Sequence, residues 1–254
     1  MKSGLFRKQD WARMDTASGE SKMRIAINSL SIAPTRGGAK TYLISLVRHL
    51  AKIDQKNDYF LFVTPLNEAL FEGLGENFKK IPLFLRSDNR PMRLFLEQFA
   101  IPYYVRKHKI DVLFSPGNIG TLFPGCKQVI VVHGPLVIRD LRKQYAPKEV
   151  PRIYSLFYDI MLPLSLKRAQ RVIVVSQSMK EWLLRQVSVP DWKIRVVYEG
   201  VDLSLFSSGA ARKVLRIDRP YILFLSTLFR YKNADKAIQA FALVKRRYSI
   251  PHEL

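Results

Sequence analysis

Short apolar runs alternate along the chain with segments whose apolar residues recur at helical spacing. The apolar runs fall at Arg24–Asn28 and at residues 58–64, 111–115, 128–132, 171–175 and 194–198. They are mostly continuous in Val, Ile, Leu and Phe, as strands buried on both faces of a sheet require. Each run therefore predicts a buried strand.

The segments between these runs predict helices. Residues from Ala39 onwards place Tyr42, Leu43, Leu46, Val47 and Leu50 on one helical face. Residues 91–107 predict a helix that starts at Pro91 and kinks at Pro102. Residues 145–169 are mostly helical, and residues 67–90 are rich in loop formers. A further helix is expected to begin with a capping box made by Ser178 and Glu181.

Alternation of strands and helices predicts an α/β fold: a Rossmann-like parallel sheet with helices on both faces. We expect a flexible leader at 1–22, one such domain at 23–198 and a linker at 199–219. A strand at 220–226 and a helix at 234–248 then begin a second Rossmann-like domain, with Ala237, Ile238, Phe241 and Val244 facing inward. One strand and one helix cannot close a core, so we expect this second domain to be truncated.

The net charge of the chain indicates a preference for anionic partners. The 254 residues include 42 Lys and Arg against 21 Asp and Glu, a net charge of +21. Such an excess attracts nucleic acid, an acidic membrane surface or phosphorylated substrates. The chain contains no readable nucleic-acid-binding motif, so nucleic acid is not expected as a partner. A basic module that binds nucleic acid or an anionic membrane without catalysis is the alternative function.

Several missing features narrow the class further. The lone Cys126 cannot form an internal disulfide, which favours a cytoplasmic protein, with the inner membrane face as a peripheral location. No run of about 18 apolar residues is present, so no spanning helix is expected. The chain lacks a P-loop, a G-x-G-x-x-G loop, a nucleophile elbow and an H-E-x-x-H pair, and its four histidines are scattered. We therefore expect no metal and no bound cofactor.

Ligands of open α/β sheets bind beyond the carboxyl ends of the strands, so the loops after strands hold the candidate residues. Gly37 and Gly38 precede the first helix and suit a phosphate at its N-terminus, or form an ordinary tight turn. His133 follows the strand at 128–132, where it can donate to a phosphate or sugar hydroxyl, take a proton, or simply bond to the backbone. Asn118 ends the preceding strand's loop in the same way.

A basic segment, Arg230 to Lys232, precedes the helix at 234–248. Two cations at a helix N-terminus oppose the helix dipole, which indicates an anion between them. The alternative is a basic helix start on the surface.

Six segments, read in order, resemble family 4 glycosyltransferases and cover Met23 to Leu254 almost continuously. They are MRIAINSLSIAPTRGGAKTYLISLVRHL, RLFLEQFAIPYYVRKHKIDVLFSPGN, VIVVHG, RVIVVSQSMKEWL, VVYEGVDLSLF and YILFLSTLFRYKNADKAIQAF. The resemblance implies the GT-B fold, two Rossmann-like domains facing across a cleft. It also implies metal-free transfer of a sugar, with retention of configuration, from a nucleotide-sugar donor to a glycan or lipid-linked acceptor, as in cell-surface polysaccharide synthesis.

The resemblance also implies roles for the candidate residues. Lys232 matches the lysine of a basic pair that stabilises the leaving diphosphate, and Arg230 lies one place before the usual arginine. Gly37 and Gly38 match a loop below the phosphates, and His133 matches a histidine near the transferred sugar. The chain departs from the family at Gly134, where Asp is usual, and at Glu199, where Asn is common.

Two further expectations come with the resemblance. The chain ends before the family's pair of glutamates, so we expect little or no turnover from it alone. Its second helix is compatible with docking on an anionic membrane, or with an ordinary core helix that ends in a basic turn. The residues concerned are the apolar Leu94, Phe95, Phe99 and Tyr103 and the basic Arg93, Arg106, Lys107 and Lys109. The donor sugar, the nucleotide and the acceptor stay open.

Overall fold

A seven-stranded sheet forms the framework of the protein. The computed structural model describes residues 21–32, 37–85, 89–134, 152–203, 220–226, 228 and 232–254. The strands are β1 (Arg24–Asn28), β2 (Asp58–Val63), β3 (Phe78–Pro82), β4 (Val112–Ser115), β5 (Lys127–Val132), β6 (Arg171–Val174) and β7 (Ile194–Val196). Their order in the sheet is β3-β2-β1-β4-β5-β6-β7. The pairings β1–β2, β1–β4, β2–β3 and β6–β7 are parallel, which confirms the predicted α/β Rossmann-like fold.

Helices occupy most of the connections that the structure describes. They are α1 (Gly38–Ile53), α2 (Arg90–Phe95), a π-helical turn (Leu96–Ala100), α3 (Ile101–Lys107), α4 (Arg152–Arg168), α5 (Gln177–Gln186) and α6 (Ala234–Tyr248), with short 3-10 turns at Glu68–Phe71 and Asp191–Lys193. The π-helical turn ends two residues before Pro102, whose ring and missing N–H disturb the preceding turn of a helix. Among the described helices, none is long and apolar enough to cross a bilayer.

The chain divides into two compact units, Met1–Pro116 with Thr121–Val129 and Gly117–Gly120 with Ile130–Leu254. The first unit has a core on each face of its strands. Phe60 and Phe62 join one core and Leu61 and Val63 the other, because successive strand residues point to opposite faces. Burial raises the pKa of the Cys126 thiol, beside the first of these cores, to about 11.

The second unit has its own core, built from β5, β6, β7, α4 and α5. Ile130, Val172 and Ile194 from the three strands are fully buried in it. Leu166 of α4 and Leu183 of α5 pack against them and are also fully buried. At about 25 cal/mol per Å² of apolar surface, side chains of this size each contribute roughly 2 kcal/mol on burial.

Three local predictions were wrong. Residues 67–90 contain the strand β3, whose Lys79 and Lys80 hid it from an apolar pattern. Such charges are usual on edge strands because they discourage pairing with another chain. The cap of α5 is Ser176, whose Oγ accepts from the N–H of Met179 at 3.1 Å; Ser178 lies inside the helix. The reason is that β6 ends at Val174, which brings Ser176 into the capping position.

The third wrong prediction concerns the end of the chain. α6 has the predicted bounds, yet in the described part of the chain none of its residues is buried, and Ile238 is 60% exposed. In the segment 220–226, a parallel bridge joins Tyr221 to Glu253 in place of the predicted strand, and Leu225 is 89% exposed. Apolar spacing predicts which face would be buried, but burial needs packing partners. Residues 1–20 of the predicted leader (1–22) and residues 204–219 of the predicted linker (199–219) lie outside the described residues, and the domain boundaries stay predictions.

Candidate functional site

Asn118 and His133 meet at the carboxyl edge of the sheet. The Asn118 Oδ1 atom accepts a hydrogen bond from the backbone N–H of His133 at 2.9 Å. The backbone N–H of Asn118 donates in turn to the carbonyl of Val131 at 3.1 Å. Asn118 has a φ of 69°, a left-handed conformation that asparagine tolerates better than most residues. The two sequence-predicted residues therefore form one rigid corner at the end of β5.

The His133 side chain forms an ion-pair-type contact with Glu199. Its Nδ1 atom lies 3.2 Å from Oε1 of Glu199. The imidazole side chain is 15% exposed and the carboxylate side chain 53%, and the Nε2 atom of His133 is shielded from solvent. The more exposed member of the pair is thus the carboxylate, and the half-buried histidine lies behind it.

The contact spans one strand of the sheet. β5 and β7 flank β6, and strands spaced at about 4.8 Å put them roughly 10 Å apart. The backbone N–H of Val197 donates to the carbonyl of Val174 at 2.9 Å. This bond continues the pairing of β6 with β7 to the carboxyl edge of the sheet. Beyond it, residues 197–202 are irregular, and Glu199 reaches from this segment to His133.

Glu199 was not among the residues predicted for the site, although it has the same sequence feature that pointed to His133. Both are polar residues that directly follow an apolar run near the carboxyl edge of a parallel sheet. A carboxylate accepts hydrogen bonds but cannot donate them, so Nδ1 of His133 is the donor in this contact. The carboxylate of the pair can therefore accept hydrogen bonds from hydroxyl groups.

Gly37 and Gly38 lie where the sequence predicted them, at the start of α1. Gly37 has a φ of −68°, and a methyl group on either glycine would meet nothing within 4 Å. Among the described residues, open space therefore adjoins the exposed N-terminus of α1. This space suits a ligand that approaches the backbone, and phosphate binding here stays a prediction.

Lys232 lies two residues before α6 and is exposed. Asn233, which follows it, has a left-handed φ of 57°, so the chain turns sharply between Lys232 and the helix. Asp235 occupies the first turn of the helix. Arg230 lies outside the described residues. The predicted role of this basic pair in phosphate binding stays a prediction.

A buried carboxyl group in the first unit was missed by the sequence reading. Glu97, in the π-helical turn, is 7% exposed. Its Oε1 atom accepts from Nδ2 of Asn28 at 3.4 Å and lies 3.8 Å from Nε of Arg93. Burial raises the pKa of Glu97, and the charge of Arg93 and the hydrogen bond from Asn28 oppose that rise. Its carbonyl accepts from Oγ1 of Thr121 at 2.8 Å, which ties the turn to the loop that precedes β5.

Comparison with known proteins agrees with this architecture. The sequence pattern of Glycosyltransferase Family 4 matches residues 36–205, which include Asn118, His133 and Glu199. The parallel sheet and its helices place the chain in the Rossmann-like α/β class. The family match is more specific: the chain belongs to glycosyltransferase family 4.

Individual relatives are more distant. The O-antigen chain mannosyltransferase RfbU of Salmonella typhimurium is 21% identical over 198 residues, which cover 77% of this chain and 52% of that relative. A glycosyltransferase of Rickettsia africae superposes with a TM-score of 0.56 at 16% identity, covering 90% of this chain and 59% of the other. A Listeria monocytogenes structure described as a UDP-N-acetylglucosamine 2-epimerase gives 0.55 at 15% identity, covering 92% and 62%. The two structures show the fold alone, and this chain spans little more than half the length of these relatives.

Proposed function

We propose that this protein takes part in glycosyl transfer from a nucleotide-sugar donor to a glycan or lipid-linked acceptor in cell-surface polysaccharide synthesis. The observation that carries the proposal is the family match over residues 36–205, which encloses the corner of Asn118, His133 and Glu199. The O-antigen mannosyltransferase among its relatives supports a polysaccharide as the product.

In the proposed reaction, positive charge accepts the diphosphate that leaves the donor. Arg230 and Lys232 supply that charge, and Gly37 and Gly38 offer the N-terminus of α1 to the phosphates. Fixed charge placed where negative charge develops lowers the barrier without reorganisation. We propose that transfer proceeds with retention of configuration and without a metal ion, the sugar lying beside His133.

The test measures release of a nucleoside diphosphate from a panel of UDP-, GDP- and dTDP-sugars, with and without oligosaccharide or polyprenyl-linked acceptors. It uses the 254-residue chain and, in parallel, the longest reading frame that contains it. We expect little turnover from the chain alone, turnover from the longer product, and the same rate after treatment with EDTA. Absence of turnover from both proteins with every donor would contradict the proposed function, and loss of activity in EDTA would contradict metal-free transfer.

A second proposal concerns the membrane and rests on an aromatic ladder, defined as Phe95, Phe99 and Tyr103. These side chains are 57%, 65% and 58% exposed, and four-residue spacing puts them on one helical side. The rings of Phe95 and Phe99 are 5.0 Å apart, and Nζ of Lys107 lies 6.0 Å from the ring of Tyr103. We propose that the ladder docks on an anionic membrane, because exposed aromatic rings with an adjoining cation suit the lipid interface.

Vesicle flotation tests the membrane proposal. We expect the chain to float with vesicles that contain acidic lipid and to stay behind with neutral ones. The double variant Phe95→Ser/Phe99→Ser should lose this flotation, whereas Phe123→Ser, which alters a similarly exposed phenylalanine outside the ladder, should keep it. Equal flotation of both variants would overturn the proposal.

A further inference from the structure

We propose that Glu199 is a further substrate-contacting residue: a carboxylate held in place by His133 that receives sugar hydroxyl groups. The inference deepens the proposed function and rests on it for the identity of the reaction. The geometry that supports it lies within the second unit, at the ends of β5 and β7.

The first step concerns the proton between the two side chains. Oε1 of Glu199 lies 3.2 Å from Nδ1 of His133, and an ionised carboxylate has only acceptor sites. Nδ1 must therefore carry a proton in this contact, whether the imidazole is neutral or charged. The carboxylate thus selects one tautomer of His133, and the imidazole in return fixes the direction of the carboxylate.

The second step concerns which member is rigid. The backbone of His133 is anchored by the side chain of Asn118, and Asn118 is anchored to Val131. Asn118 has a left-handed φ of 69°. Such a conformation is kept only where the surrounding contacts hold it. Glu199 comes from the irregular segment 197–202, beyond the end of β7. His133 is therefore the fixed support, and Glu199 is the side chain that it orients.

The third step concerns access. The Glu199 side chain is 53% exposed against 15% for His133, and Nε2 of His133 is shielded. A ligand that approaches the carboxyl edge at this corner meets the carboxylate before it meets the imidazole. We therefore expect a sugar beside His133 to contact the carboxylate of Glu199 first, and the catalytic role predicted for His133 stays a prediction.

The fourth step identifies the chemical class of the ligand. A carboxylate attracts O–H donors and repels phosphate oxygens, which are acceptors that carry negative charge. Sugar hydroxyl groups fit this site, and the diphosphate of a nucleotide does not. A hydrogen bond to a charged group changes affinity by about tenfold or more, enough to select among sugars that differ in one hydroxyl.

The test observes the imidazole of His133 directly by ¹⁵N–¹H NMR of the 254-residue chain, with the signal assigned by the variant His133→Gln. At pH 8.5 we expect the proton on Nδ1 in the wild type and a mixture of tautomers in Glu199→Ala. Titration with mannose, galactose, N-acetylglucosamine and inorganic phosphate follows. At least one sugar should shift the His133 signal and phosphate should not.

Variants separate charge from packing. Glu199→Ala and Glu199→Gln should each weaken the response to sugar by about tenfold or more, whereas Glu181→Gln, which alters an exposed glutamate of α5, should leave it unchanged. Urea unfolding of each variant checks that the fold is intact. A wild-type proton on Nε2, a response to phosphate in place of sugar, or an undiminished response in Glu199→Ala would each overturn the proposal. The sugar titration does not require turnover. A failure of the transferase assay can therefore be told apart from a failure of Glu199 to bind sugar.

Discussion

The Nδ1 atom of His133 lies 3.2 Å from Oε1 of Glu199, although the two residues are 66 positions apart in the chain. The contact joins the end of β5 to the segment after β7 and passes the end of β6. It brings together a residue that the sequence singled out and one that it did not. Its position at the carboxyl edge is where ligands of open α/β sheets bind.

Asn118 should stabilise this corner through its side chain. We expect Asn118→Ala to lower the free energy of unfolding by about 2 kcal/mol, since it loses a hydrogen bond and keeps a strained left-handed backbone. Asn118→Gly should cost less, about 1 kcal/mol, because glycine relieves the strain. Urea unfolding of the three proteins measures the difference. An equal cost for both variants would show that the backbone strain is unimportant.

Lys232 should act on the reaction and not on the fold. In whichever protein of the transferase assay shows turnover, Lys232→Ala should lower the rate of diphosphate release by about 100-fold, the usual effect of removing one group that stabilises developing charge. The unfolding transition should not move, because Lys232 is exposed. Lys236→Ala, in the first turn of α6, is the matched control and should stay within about twofold of the wild type. A similar loss of rate in both variants would show that the overall positive charge of this segment matters, and would contradict a specific role for Lys232.

Glu97 should make stability depend on pH in a defined direction. Burial raises its pKa in the folded protein above the ordinary value of 4.5, so the folded state holds this proton more tightly than the unfolded state. Its contribution to stability is complete below about 4.5 and is lost as the pH rises through the raised pKa. Glu97→Gln removes this loss, so we expect the variant to gain stability relative to the wild type between pH 4 and pH 8.

Urea unfolding across that pH range measures the effect. Glu76→Gln, which alters an exposed glutamate in the same unit, should show no such relative gain. A difference between Glu97→Gln and the wild type that is constant with pH would contradict the predicted linkage.

Asp54 should act in the opposite direction at low pH. Burial raises its pKa, but hydrogen bonds from Asn57, the Tyr59 hydroxyl and the N–H of Lys56 outweigh it and lower the pKa to about 2. A depressed folded pKa contributes stability above about 3.8 that is lost as the pH falls towards 2. Asp54→Asn should therefore cost about 1 kcal/mol at pH 7, since the contacts are partly solvated.

Acid unfolding followed by circular dichroism measures this second linkage. The difference in stability between the wild type and Asp54→Asn should shrink as the pH falls from 4 to 2. A difference that persists unchanged to pH 2 would show that the hydrogen bonds do not favour the ionised form.

Local sequence patterns predicted elements whose cause is local. β1 has the predicted bounds, Arg24–Asn28, and α6 has the predicted bounds, Ala234–Tyr248, because apolar periodicity reports the face that each element would bury. The apolar pattern did not predict β3, because this edge strand carries the charged residues Lys79 and Lys80. The predicted capping residue of α5 was two positions too late, because the end of β6 decides where the helix starts.

The sequence by itself determined the fold class, since the alternation of strands and helices follows from local apolar runs, and it singled out Asn118 and His133, which come after two of those runs. The family followed from the resemblance of six segments and from the match over residues 36–205. Only the tertiary structure decided that Glu199 joins His133 and that Glu97 is buried beside Asn28. Both contacts depend on which strands and helices become neighbours, and that order is set by packing over the whole sheet rather than by the period of any one segment.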